Sequence, residues 1–378
     1  MSPSQSPQPS PLNTAKRLVL KIGSALLVDQ DTGAVHHAWL DALCDDIADA
    51  RARGQEVVIV TSGAIAIGRG PLGMKGRKLR LEEKQAAAAT GQMRLSHAYQ
   101  QSLNRHGITV AQVLITLDDT EDRRRYLNAR NTLDTLLKLD AVPVINENDS
   151  VATTEIRFGD NDRLAARVAQ MISADTLVLF SDIDGLYSAD PRSDPNASLI
   201  PEVREVTPDI EAMAGAASEQ GSGGMITKLI AAKICMGAGC RMAIAPGKPR
   251  NPLKHLSDGG RCTWFLPAAE PRAARKRWIA ASLQTLGVLV VDDGAITALN
   301  AGKSLLPAGI VDVSGEFQRG DAVEVRSKTG KVIGKGLSAY PASDIQSIKG
   351  QKSENIEEIL GFRGRSEVIH RDDLVMGS

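Results

Sequence analysis

Apolar residues along this chain gather into short dense runs separated by longer amphipathic stretches, and the two kinds of segment alternate. RLVLKIG (17–23) is an apolar run closed by glycine. Behind it, in WLDALCDDIADARARG (39–54), Trp39, Leu40, Leu43, Cys44 and Ile47 recur at helical spacing, and Gly54 stands where a helix would end. The alternation continues through EVVIV (56–60), a helical stretch from about Leu79 to Arg105, ITVAQVLI (108–115), a helix over 120–139, AVPVI (141–145), a helix over 161–173, TLVLF (176–180), a helix over 226–238 and RMAIA (241–245). Runs that are apolar on both faces, each followed by a helix, predict an α/β fold: a mostly parallel sheet sandwiched between helices.

The pattern changes near residue 270. PAAEPRAAR (267–275) sets two prolines among small and charged residues and reads as a linker. Beyond it lie shorter apolar runs, GVLVVD, AVEVRS, KVIGKGLS and SEVIHR, bounded by Gly, Asp and Lys-Thr-Gly turns. They predict a small β-rich domain. At the other end MSPSQSPQPSPLNTA is rich in Ser, Pro and Gln and lacks the apolar run of a signal peptide. The predicted division is a disordered tail over 1–16, an α/β domain over 17–266, a linker over 267–275 and the β-rich domain over 276–373. Nowhere do 18 consecutive apolar residues occur, so no membrane span is expected and the cytoplasm is the expected location.

Composition narrows the choice of partners. Of the 378 residues 42% are hydrophobic and 3% aromatic, so the cores must be built from Val, Ile, Leu and Ala. Forty-five basic residues balance 45 acidic ones, and this neutrality gives no reason to expect whole-chain affinity for a polyanion. From Lys276 to Ser378 the balance is again even, 13 against 13. The four cysteines form no Cys-x-x-Cys pair and are too sparse for a disulfide framework, which predicts reduced thiols.

In an open α/β sheet, ligands bind beyond the carboxyl ends of the strands. Those exits carry Lys21, then Ser62-Gly63, then the polar stretch NENDSVATTEIRFGDNDRL, then SDIDGLYSADPRSDP. A lysine ending an apolar strand calls for an anionic partner, structural or ligand. Asn and Asp are ordinary turn formers; yet Asp149 could hold an ammonium group and the amide NH₂ of Asn161 could reach a carboxylate, which together would suit an amino acid. GSGGMITK (221–228) raises a separate question, since glycines ahead of a lysine at a helix start can form an anion cradle or a plain connection. It does not have the spacing of a P-loop, and neither does AGKS (301–304).

LKIGS, VTSGAI, PVINEND, FGDND, DIDGLYSADPR and GSGGMITK, in that order, resemble the amino acid kinase family, and within it the members acting on glutamate; the segment after the linker resembles a PUA domain. The resemblance runs from residue 17 to about 373. It implies ATP and L-glutamate as substrates, Mg²⁺ with the ATP, and Lys21, Lys228 and Asp162 as catalytic residues, with Asp162 orienting the lysines. It implies Ser62, Asp149 and Asn161 at the glutamate. It places Lys21, Ser181, Asp182 and the run Ser222, Gly223, Gly224, Met225, Ile226, Thr227 and Lys228 at the nucleotide, so that GSGGMITK is a cradle ending in a catalytic lysine. Ser181 and Ser222 stand where Thr is commoner, and the hydroxyl is kept. The resemblance further implies inhibition by proline and assembly into a homo-oligomer, a dimer or tetramer. Family members also phosphorylate aspartate, acetylglutamate, carbamate or UMP, and fold alone does not separate these. RNA binding by the PUA-like segment stays open but is disfavoured by its even charge.

Overall fold

The computed structural model describes residues 10–29, 31–151, 160–215, 224–268 and 285–377. The chain divides into two compact units near residue 271.

The first unit is built on an eight-stranded sheet. In chain order its strands are β1 (Arg17–Ile22), β2 (Glu56–Thr61), β3 (Val110–Ile115), β4 (Val142–Glu147), β5 (Thr176–Ser181), β8 (Glu202–Val203), β9 (Arg241–Pro246) and β10 (Thr263–Phe265); β6 (Leu186–Tyr187) and β7 (Leu199–Ile200) form a separate two-stranded pair. The sheet order is β3-β4-β2-β1-β5-β9-β10-β8. The pairs from β3 across to β9 are parallel, and β10 turns antiparallel against β9. Because β2 lies on one side of β1 and β5 on the other, the direction of winding reverses at β1. The crevice beyond β1 is therefore where a ligand is expected in such a sheet.

Central strands are apolar except near their ends and almost fully buried, as strands covered on both faces must be. Edge strand β3 alternates between half-buried and exposed positions. The helices that matter for the crevice are α1 (Ser24–Leu27), α2 (His37–Ala52), α3 (Ala64–Arg69), α4 (Leu81–Asn104), α5 (Leu117–Glu121), α6 (Arg123–Lys138), α7 (Asp160–Met171), α8 (Pro208–Gly215) and α9 (Met225–Gly237). The single helix expected over 120–139 is thus two, because Asp122 is extended (φ −71°, ψ 121°) and breaks the ladder.

The tail expected over 1–16 is not wholly a tail. Leu12 and Ala15 are buried in the core, and the carboxamide of buried Gln55 donates to both their carbonyl oxygens, at 3.0 and 2.7 Å. The amides of Lys16 and Arg17 both donate to one oxygen of Asp175, each at 2.8 Å, which fixes the start of β1.

The second unit carries a five-stranded sheet ordered β12-β11-β13-β14-β15, from β11 (Gly287–Val291), β12 (Ile310–Gly315), β13 (Ala322–Ser327), β14 (Val332–Leu337) and β15 (Leu374–Met376). Its core is mainly aliphatic, with Leu289, Val291, Val323, Val325 and Ile345 fully buried beside Phe317 and Tyr340. SEVIHR (366–371), expected as a strand, makes only an isolated bridge between Leu305 and Ile369; Val368 and Ile369 are buried there without joining the sheet. Most of the linker expected over 267–275 lies outside the described residues.

Candidate active site

The start of α7 organises the crevice, because two consecutive residues of its first turn face opposite ways. Asp162 is 1% exposed, and each of its oxygens meets an ammonium group: Oδ1 lies 2.7 Å from Lys21 Nζ, on β1, and Oδ2 lies 3.0 Å from Lys228 Nζ, on α9. The hydroxyl of Thr227 lies 3.2 Å from the same Oδ2 and 2.9 Å from the carbonyl oxygen of Gly224. Burial pushes the Asp162 carboxyl up, but the two ammonium groups and their hydrogen bonds outweigh it and leave the group below its ordinary value of 3.8. Asp162 is therefore ionised at neutral pH. Two cations share one buried anion, so the cluster carries a surplus of one positive charge at the strand exits. That is the electrostatic signature of an anion site.

Asn161, the other residue of the turn, reaches towards β2. Three acceptors surround its Nδ2: the Thr61 carbonyl oxygen at 2.8 Å, Ser62 Oγ at 2.6 Å and, more distant, Asn146 Oδ1 at 3.2 Å. The NH₂ expected to reach a substrate carboxylate is thus surrounded by acceptors of the protein, and what the amide leaves unmatched among the described residues is its oxygen. Asn146, next to last in β4, is 2% exposed and donates from Nδ2 to Gln92 Oε1 at 2.8 Å; Gln92 Nε2 in turn donates to Ser96 Oγ at 3.3 Å. Tyr99 Oη lies 2.9 Å from Thr61 Oγ1, one turn further along α4.

Glycine contact sets this geometry. A Cβ on Gly91 would stand 1.8 Å from the Ala64 carbonyl oxygen, and one on Gly68 would stand 1.8 Å from that of Ala87. Helices α3 and α4 therefore touch backbone to backbone, which brings Gln92 down onto the β4 exit. Gly63, between Ser62 and α3, has φ 109°, a left-handed conformation that side chains resist.

The remaining candidate residues are placed as follows. Asp149 is half-buried in the turn after β4, three residues beyond Asn146. Ser181 closes β5, is buried, and its hydroxyl donates to exposed Asp182 at 3.1 Å. Gly224 caps α9, while Met225 is half-buried and Ile226 is 44% exposed. Ser222 and Gly223 lie outside the described residues, as does the hairpin-like ATTEIRF. The structure thus brings together Lys21, Asp162, Thr227 and Lys228 in one group, and Ser62 and Asn161 in another; Ser181 and Asp182 stand at a separate strand exit. Gln92 was missed by sequence reasoning. Its one signal is a polar residue, next to glycine, on the apolar face of an alanine-rich helix. Among the described residues no helix is long and apolar enough to cross a membrane, and no group of three or more His, Cys, Asp or Glu could hold a metal ion.

Comparison with known proteins places this geometry. The model of the amino acid kinase family matches residues 16–246 and that of the PUA domain residues 287–360. A glutamate 5-kinase of Paramagnetospirillum magneticum is 68% identical over 368 residues, spanning 97% of this chain and 99% of the relative. One from Rhodospirillum rubrum is 61% identical over 361 residues, 95% of this chain and 96% of the relative. Among solved structures, carbamate kinase from Giardia lamblia aligns with a TM-score of 0.50 and 13% identity, over 68% of this chain and 99% of that one, a likeness of fold alone. The chain belongs to the amino acid kinase family, on the branch occupied by the glutamate 5-kinases.

Proposed function

We propose that this protein transfers the γ-phosphoryl group of ATP to the side-chain carboxylate of L-glutamate, giving L-glutamyl 5-phosphate, the first step of proline biosynthesis. The observation that carries the reading is the pair of lysines from opposite sides of the crevice held on one buried carboxylate; relatives at 57–68% identity that bear the name glutamate 5-kinase support the acceptor.

The charge arithmetic fits. A carboxylate with an ordinary pKa of about 4.3 is ionised at neutral pH, so the nucleophile needs no general base. The obstacle is repulsion between two anions, roughly 4 kcal/mol for unit charges about 4 Å apart at an effective dielectric of 20. Lys21 and Lys228 offset that repulsion as negative charge spreads over the phosphoryl oxygens, while Asp162 holds both ammonium groups at fixed positions. Both oxygens of Asp162 are taken by ammonium groups, so the residues fit an Mg²⁺ that arrives on the ATP phosphates, where it neutralises charge, rather than one in a protein cage. Ser62, Asp149 and Asn161 bind the glutamate; Ser181, Asp182 and the stretch from Ser222 to Lys228 bind the nucleotide. Proline, the product to which this step leads, inhibits by overlapping the glutamate site, and the enzyme works in the cytoplasm as a homo-oligomer.

The test is ATP- and Mg²⁺-dependent formation of an acyl phosphate, trapped with hydroxylamine, with aspartate and N-acetylglutamate run alongside glutamate. Product from glutamate alone is expected. Turnover of another acceptor in its place would leave the phosphate machinery standing and overturn the substrate.

A further inference from the structure

The hydrogen bonds around Asn161 have a direction, and one backbone atom sets it. A carbonyl oxygen only accepts, so the Asn161 atom 2.8 Å from the Thr61 oxygen must be the amide nitrogen. That nitrogen also lies 3.2 Å from Asn146, which must therefore turn its oxygen towards it. The NH₂ of Asn146 then faces Gln92 at 2.8 Å, and Gln92 must present its oxygen. The chain of amides is complete and buried at its far end, with Gln92 7% and Asn146 2% exposed. Among the described residues no donor reaches Asn161 Oδ1, and Ser62 Oγ, having accepted from Asn161, keeps its own hydrogen to donate.

We propose that Gln92, acting through Asn146, is a positioning residue that joins the Thr61 carbonyl in holding the Asn161 amide with its oxygen towards the substrate, so that this oxygen accepts from the amino acid's ammonium group while the Ser62 hydroxyl donates to a carboxylate. This rests on the reading of the crevice as a glutamate site and adds to it which group of the substrate each side chain reads. Gln92 touches no substrate; its effect is confined to discrimination of the amine.

The test uses the full chain and two acceptors, glutamate and glutarate, which differ only in the ammonium group. The variants are Gln92→Met, which keeps volume and removes the acceptor, and Gln92→Glu, which keeps an oxygen facing Asn146. Thermal unfolding is followed in parallel. Q92M is expected to lower the preference for glutamate over glutarate by roughly tenfold, through the KM for glutamate, since the buried N–H of Asn146 loses its partner and the Asn146 amide is freed to turn away from Asn161. The KM for ATP and the KM for glutarate should stay within about twofold, and Q92E should keep the preference. A folded Q92M that loses activity equally on both acceptors, or keeps the full preference, overturns the proposal. Should Q92M fail to fold, loss of the preference in folded Q92E overturns it, and retention supports it. Absence of product from glutamate in the unmutated chain would instead overturn the assigned reaction, so the two failures are told apart.

Discussion

The two sides of the crevice are built differently. On the proposed acceptor side, Thr61, Asn161, Asn146 and Gln92 come from four elements and close a network across 15, 54 and 100 residues of sequence, most of it buried. On the proposed nucleotide side the contacts among the described residues are mostly local: Ser181 bonds to the residue after it, Thr227 to a carbonyl three residues before it as well as to Asp162, and Asp182 and Ile226 face solvent. A network of buried amides can hold one arrangement only, because a flipped member leaves a buried group unpaired. Such a site discriminates by polarity. Short-range contacts at a helix start serve a ligand whose phosphates bring their own charge and geometry, where tight discrimination of every atom adds little. Between the two stands Asp162, bound to a lysine from each side.

Breaking that junction should have the largest effect. Lys228→Ala is expected to lower kcat by about 10²–10³-fold with smaller changes in either KM, because the charge it supplies counts most as the phosphoryl group moves; an unchanged turnover would remove Lys228 from the chemistry. Asp162 sharpens the same point through pH. Its folded pKa lies below its ordinary value, so the unfolded chain binds the proton more readily. Its contribution to stability is then fully present above about pH 4–5 and is lost as pH falls through the lower, folded value. Asp162→Asn should flatten that acid limb of the unfolding temperature against pH, and an unchanged limb would show that other carboxylates set it. Next in size is the acceptor side alone: Asp149→Ala should raise the KM for glutamate by roughly tenfold with that for ATP little altered, as expected when one charged hydrogen bond is lost. Equal weakening of both would make Asp149 structural. Gly91→Ala tests the frame beneath it. With a carbonyl oxygen 1.8 Å from the new Cβ, α3 and α4 must separate, at a cost of about 1–3 kcal/mol in stability measured by denaturant unfolding.

The same contrast explains what could be read from sequence. Strands such as TLVLF and EVVIV announce themselves because both faces are covered and, after the first residue, every position is apolar. Lys21 stood out as a charge at the end of such a run, and Asp162 and Asn161 as members of a polar cluster at a strand exit. Gln92 did not, since its role depends on α4 lying against α3 at glycine contact, and nothing in AAAATGQ says which partner that helix will meet. Leu12 and Ala15 were hidden for a similar reason: a Ser/Pro-rich stretch reads as a tail unless a distant residue, here Gln55, captures its carbonyls. In the second unit SEVIHR had the composition of a strand, but its burial is met by a bridge to Leu305, and β12 and β15 take the sheet positions instead. Local pattern reports burial well and partners poorly.

The smallest expected effect lies where the nucleotide side is most local. Ser181→Ala removes a hydroxyl whose one partner among the described residues is the neighbouring Asp182 side chain, at 3.1 Å and next to solvent, so water can replace it in the folded state. A single neutral hydrogen bond contributes about 0.5–1.5 kcal/mol, which bounds the rise in the KM for ATP at roughly 2- to 10-fold. The lower end is expected, because Asp182 is exposed and loses little by the change. Steady-state kinetics with ATP and glutamate varied in turn would check it. A matching rise in the KM for glutamate would show that the two sides communicate through β1 and β5, and that the separation drawn between them is only one of sequence distance.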